Sequence, residues 1–163
     1  MVLRIAGPLL AFAVALGPAF SQSKAADYRS KFERETNIVH KAKQMRKLGR
    51  AEFKDIEEEM SAGNTDAALA GLRQYLNQAK LCETGLDARG VNAENHPSGF
   101  KELQFSLRDS LLHVDNILSG LPASEQAPFL NVRKDLDAIN RHVIRELFPR
   151  QPASANPKSG AKH

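Results

Sequence analysis

The stretch IVHKAKQMRKLGRAEFKDIEEEMSAGNTDAALAGLRQY, residues 38–75, decides the fold. With Ala42 as the origin and about 100° per residue, Ile38, Met45, Gly49, Phe53, Ile56 and Met60 fall within about 60° of it. The stripe breaks at Ser61-Ala62-Gly63-Asn64 and resumes with Leu69, Leu72, Leu76 and Ala79. Two striped helices joined by a turn make a helical hairpin whose apolar faces bury each other. Asn37 is placed to cap the first helix, Gly63 to end it in the left-handed region, and Asn64 or Thr65 to cap the second.

Downstream, the pattern repeats once. The second helix is expected to extend to near Arg89, followed by a loop from Gly90 to His96 and a third helix opened by Pro97. Phe100, Leu103, Leu107, Leu111, Val114, Leu118 and Leu121 stripe that helix. A turn over Gly120–Ser124 follows, with Ser124 as cap and Pro128 tolerated near the first turn of the fourth helix. Phe129, Val132, Leu136, Ile139, Val143 and Leu147 stripe the fourth helix as far as Phe148-Pro149. The reading is an all-α, antiparallel four-helix bundle over residues 37–148, built from two hairpins. Two stacked hairpins with a helical-repeat twist are the alternative. Gln22 to Thr36 is a short polar segment with Tyr28 and Phe32 as anchors, expected to form a helical turn or two. Residues 149–163, rich in Pro, Ser and Gly and without large apolar side chains, read as a disordered tail.

Residues 1–21 have the order of a secretory signal peptide. Arg4 precedes an apolar run from Ile5 to Leu16, Gly17-Pro18 breaks it, and Ala19 and Ser21 are small residues three before and immediately before a cut after Ser21. A cut after Ala25 fits the same chemistry. The apolar run is too short to cross a bilayer, so export to the periplasm or beyond is expected, with no transmembrane span. Of 23 basic residues Arg4 lies in this leader, which leaves a surplus of three over the 19 acidic residues. So small a surplus gives no reason to expect nucleic acid. Cys82 is the single cysteine and sits in a helical stripe, which points to a buried free thiol.

The run Gly63-Asn64-Thr65-Asp66-Ala67-Ala68-Leu69-Ala70-Gly71-Leu72 resembles the turn and second helix of a tetratricopeptide repeat, and Leu48-Gly49 with Phe53 is similar to that family's first-helix signature. The spacing departs from the family, because Leu48 and Gly63 are two helical turns too far apart. The resemblance covers about forty residues and implies a protein- or peptide-binding scaffold. Together with the leader, it also looks like small helical proteins exported by bacteria.

Motifs for chemistry are missing. Covalent haem needs Cys-x-x-Cys-His and a di-iron bundle needs Glu-x-x-His, and neither occurs. Met45 or Met60 with His142 could ligate a haem, and Asp109 with His113 could share a metal, but each is more simply core or surface. No nucleophile turn surrounds any serine. The expectation is therefore no enzyme, no cofactor and no metal; a cofactor or metal carrier with unrecognised ligands is the alternative. One uneven feature remains. Lys43, Arg46, Lys47, Arg50 and Lys54 fall between about 40° and 140° on the same wheel, clear of the apolar stripe. Like charges at i,i+4 repel, so the stripe is either a solvated face or the binding surface for an anionic surface or an acidic envelope protein.

Overall fold

A computed structural model describes residues 24–149. The signal peptide assigned to 1–21 and the tail beyond Pro149 lie outside the described residues. The described chain is all-helical: α1 (Lys24–Arg34), α2 (Ile38–Ser61), α3 (Thr65–Asp87), α4 (Phe100–Gly120) and α5 (Ala123–Leu147). Every apolar stripe named above turns inward. Met45, Phe53, Leu72, Leu103, Leu107, Phe129 and Leu136 join one buried cluster, while Leu111 is half-buried at its margin.

Local chemistry sets the ends. Asn37 Oδ1 accepts from the Val39 and His40 amides at 3.0 and 3.2 Å, satisfying two donors that open helix ends leave free. Gly63 turns the chain at φ 79°. Asn64 stands at the N-cap of α3, but its side-chain amide donates to Glu59 Oε2 at 2.8 Å instead of capping. The segment before α2 is an 11-residue helix, longer than expected, with Ala25 and Phe32 buried. The last two helices begin elsewhere than expected. Pro97 does not open α4, because Gly99 at φ 93° interrupts right-handed geometry; α4 starts at Phe100, with Glu102 Oε2 accepting from the Gly99 amide at 2.7 Å. Ser124 lies inside α5 and does not cap it, since Pro122 holds the N-cap position. Pro128 consequently falls in the second turn, where it leaves the Ser124 carbonyl without its helical donor.

Helix α2 packs on α3, α3 on α5, α5 on α4 and α4 on α2, a closed circuit; α3 and α4 also touch, and α1 packs on α2 alone. Each hairpin is antiparallel within itself. Between hairpins the direction is shared: Arg46 meets Asp109 and Phe53 stacks on His113, so α2 and α4 run the same way. Lys80 with Asp135 and Asp87 with His142 show the same for α3 and α5. The result is two layers, α2 beside α4 and α3 beside α5.

Two polar clusters lie inside. Tyr75, fully buried, places its hydroxyl 2.9 Å from Ser106 Oγ and 2.6 Å from Ser110 Oγ, tying α3 to α4. Burial pushes its pKa up to about 12. Glu52 is buried between α1 and α3: Oε1 accepts from Arg29 at 2.9 Å and from Gln78 Nε2 at 3.0 Å, while Oε2 has no hydrogen-bond partner. Cys82 is buried and free.

Candidate functional site

The face defined by the basic stripe is built on α2. Its apolar residues are held inward by α3 and α4, which forces Lys43, Arg46, Lys47, Arg50 and Lys54 outward, and all five are exposed. Gly49 lies behind them on the buried side of α2. A Cβ there would lie 3.0 Å from Tyr75 Cε2, so the missing side chain is what admits the tyrosine ring beneath the stripe.

The five cations divide by partner. Lys54 Nζ is 2.7 Å from Glu58, which holds its pKa above the ordinary lysine value through that hydrogen bond. Arg46 Nε is 4.0 Å from Asp109 on α4, and Asp109 is shared with Arg108 at 3.5 Å. Lys43, Lys47 and Arg50 make no ion pair among the described residues. Below Arg46 and Arg50 the seam between α2 and α4 is closed, and past Glu57 it opens into a shallow cleft lined by Met60, Asn116 and Ile117. Phe53 stacks on His113 with centroids 4.9 Å apart, and His113 Nδ1 lies 2.7 Å from Glu57. A narrow slot lined by Arg46, Arg50, Asp109 and His113 ends on Ser106 and Ser110 with almost no enclosed volume.

Other residues singled out by type are dispersed. Met45 is buried in the core, Met60 is half-buried, and His142 Nε2 is 2.8 Å from Asp87 on α3. Asp109 and His113 share the slot, yet each faces a partner on α2. Among the described residues no group of three or more His, Cys, Asp or Glu is placed to hold a metal ion, and no helix is long and apolar enough to cross a membrane.

Motifs do not mark what α4 adds to this face. Lys101, Phe105, Arg108 and Leu112 are all exposed, with the Arg108 guanidinium 5.5 Å from the centre of the Phe105 ring. The signal for them lay in the helical wheel of α4, where they fall opposite the apolar stripe, but only the packing of α4 against α2 joins them to the cations. No protein-family model, curated protein or solved structure matches the chain.

Proposed function

We propose that the protein is an exported, non-enzymatic helical module of the bacterial cell envelope that binds an anionic partner through α2. The observation that carries this reading is the cluster Lys43, Lys47 and Arg50. These cations are exposed on one helical face and have no carboxylate partner among the described residues. Lys134 and Arg145 on α5 also make no ion pair among the described residues, but Asp135, Asp137 and Glu146 are interspersed with them. Holding like charges at i,i+4 costs a helix a few tenths of a kcal/mol per pair, a cost that an anionic partner would offset. We read the packing as a four-helix bundle of two hairpins laid side by side, supported by the single core cluster that spans both. A rigid helical scaffold of this kind presents a fixed surface and needs no enclosed pocket.

The test is retention on an immobilised polyanion, with salt elution compared among wild type, Lys47→Glu/Arg50→Glu, and a control reversal Lys134→Glu/Arg145→Glu. Both variants change net charge equally. The stripe reversal should elute at clearly lower salt than the control, with unchanged helical circular dichroism. Coincident elution of the two variants would leave overall charge as the only determinant and remove this reading.

A further inference from the structure

We propose that the anionic partner is a lipid bilayer, and that Phe105 and Leu112 of α4 insert at the headgroup level beside the cations of α2. This rests on the reading of α2 as an anion-binding face and adds to it the class of partner and two anchoring residues.

The geometry comes from the shared direction of α2 and α4. Asp109 marks the side of α4 that meets Arg46. From it, Ser106, Ser110 and His113 rotate toward the core, whereas Phe105 and Leu112 rotate about 40° and 60° the other way, onto the outer surface. Lys101 and Arg108 follow on the same side. Arg46, Arg50, Lys43, Lys54 and Lys47 rotate outward from the same seam on α2. The two helices therefore present one continuous surface. Its acidic residues are largely committed: Asp109 lies against Arg46 and Arg108, Glu58 against Lys54, Glu57 against His113, and Asp115 against Arg133 of α5.

Leu112 is 61% exposed and Phe105 40%. They stand two turns apart, and neither lines the closed slot at Arg46 and His113 or the shallow cleft farther along the seam at Met60, Asn116 and Ile117, so both project from the surface. A folded protein partner would need pockets shaped for both tips. A bilayer needs none, because acyl chains and headgroups deform around shallow apolar side chains while cations engage lipid phosphates. The Arg108 guanidinium over the Phe105 ring combines both contacts at one place. Each basic side chain near an anionic leaflet contributes roughly fivefold to partition. The cations should therefore set the lipid dependence, and the two apolar residues should set the depth.

The chain contains no tryptophan, so one introduced residue reports its own environment. Full-length Leu112→Trp should shift its emission to the blue on adding vesicles that contain phosphatidylglycerol, and should not shift with pure phosphatidylcholine. Leu130→Trp, placed on exposed α5, should not shift with either. Cosedimentation with the phosphatidylglycerol vesicles should fall at least tenfold for Lys47→Glu/Arg50→Glu, and severalfold for Phe105→Ser/Leu112→Ser, with the fold checked by circular dichroism. Cosedimentation without a shift at Leu112→Trp, or with equal shifts at both positions, would overturn the proposed anchoring. Stripe-dependent retention on the polyanion without any vesicle binding would overturn the bilayer and leave an acidic protein or polymer as partner. Loss of stripe dependence in both assays would remove the underlying reading as well.

Discussion

Replacing Gly49 by alanine should destabilise the protein, although the substitution favours helix. Interior glycine costs a helix up to ~1 kcal/mol relative to alanine, so α2 considered alone should gain about that much. The added Cβ, however, would stand 3.0 Å from Tyr75 Cε2 and 3.4 Å from its hydroxyl. That ring cannot yield easily. Its hydroxyl is bonded to Ser106 and Ser110, and its edge meets Phe53 with centroids 5.1 Å apart. Relief requires either stretching the buried hydrogen bonds or moving α2 away from α3. Overpacking of this kind typically costs ~1–3 kcal/mol, so after the helix gain a net loss of up to about 2 kcal/mol is expected. Gly71→Ala on α3 is the natural comparison. Its Cβ would also find a neighbour at 3.0 Å, but that neighbour is Cγ1 of Ile56, an aliphatic side chain with no hydrogen bond to break on shifting. Gly71→Ala should therefore cost less than Gly49→Ala. Urea unfolding followed at 222 nm would measure both, and Tyr75→Phe in the Gly49→Ala background should recover part of the loss by freeing the ring. Equal effects of the two glycine substitutions, or a gain at Gly49, would refute the assignment of the notch to Tyr75.

Glu52 should make stability depend on pH in an unusual sense. Burial raises its pKa above the ordinary 4.5, against the lowering effects of Gln78 and Arg29. The folded state then keeps a proton that the unfolded chain releases. This contribution is present below the ordinary value and is lost as pH rises through the folded pKa. Urea melts from about pH 4.5 upward should show wild type losing stability relative to Glu52→Gln, and parallel profiles would contradict it. Cys82, whose pKa burial pushes up to about 12, should label slowly with a thiol reagent in the folded protein and fast in denaturant. Rapid labelling of the native protein, or a disulfide-linked dimer on a non-reducing gel, would show the thiol to be accessible.

Much of the fold was legible because helical periodicity states which face of each segment is buried. All six stripe residues of α5 are buried as read, from Phe129 to Leu147. Periodicity does not state which helix covers a face. The shared direction of α2 and α4 depends on three-dimensional fit, such as the space at Gly49 that receives Tyr75. Glu52 was missed for a related reason: it flanks the apolar stripe on the side away from the cations, and only the arrival of Arg29 and Gln78 makes its burial intelligible. Helix starts failed where backbone geometry overrode residue preference, at Gly99 and Pro122. The five cations of α2 could be read as exposed from the wheel. The pairing of Lys54 with Glu58, four residues on, is equally local, but that of Arg46 could not be read, because Asp109 approaches from 63 residues downstream.

The side-by-side lay of the hairpins has a consequence for how the chain assembles. The links between corresponding helices of the two hairpins span a narrow range of sequence separations, from 55 for Lys80–Asp135 and for Asp87–His142 to 63 for Arg46–Asp109. Each hairpin can close through a turn of two or three residues, at small entropic cost. Their docking then needs a single further closure by residues 88–99, after which the contacts form in register along the whole seam. The same seam is available in trans. When the link between hairpins is strained or shortened, the second hairpin of one molecule can dock on the first hairpin of another, and the product is a domain-swapped dimer with the same contacts.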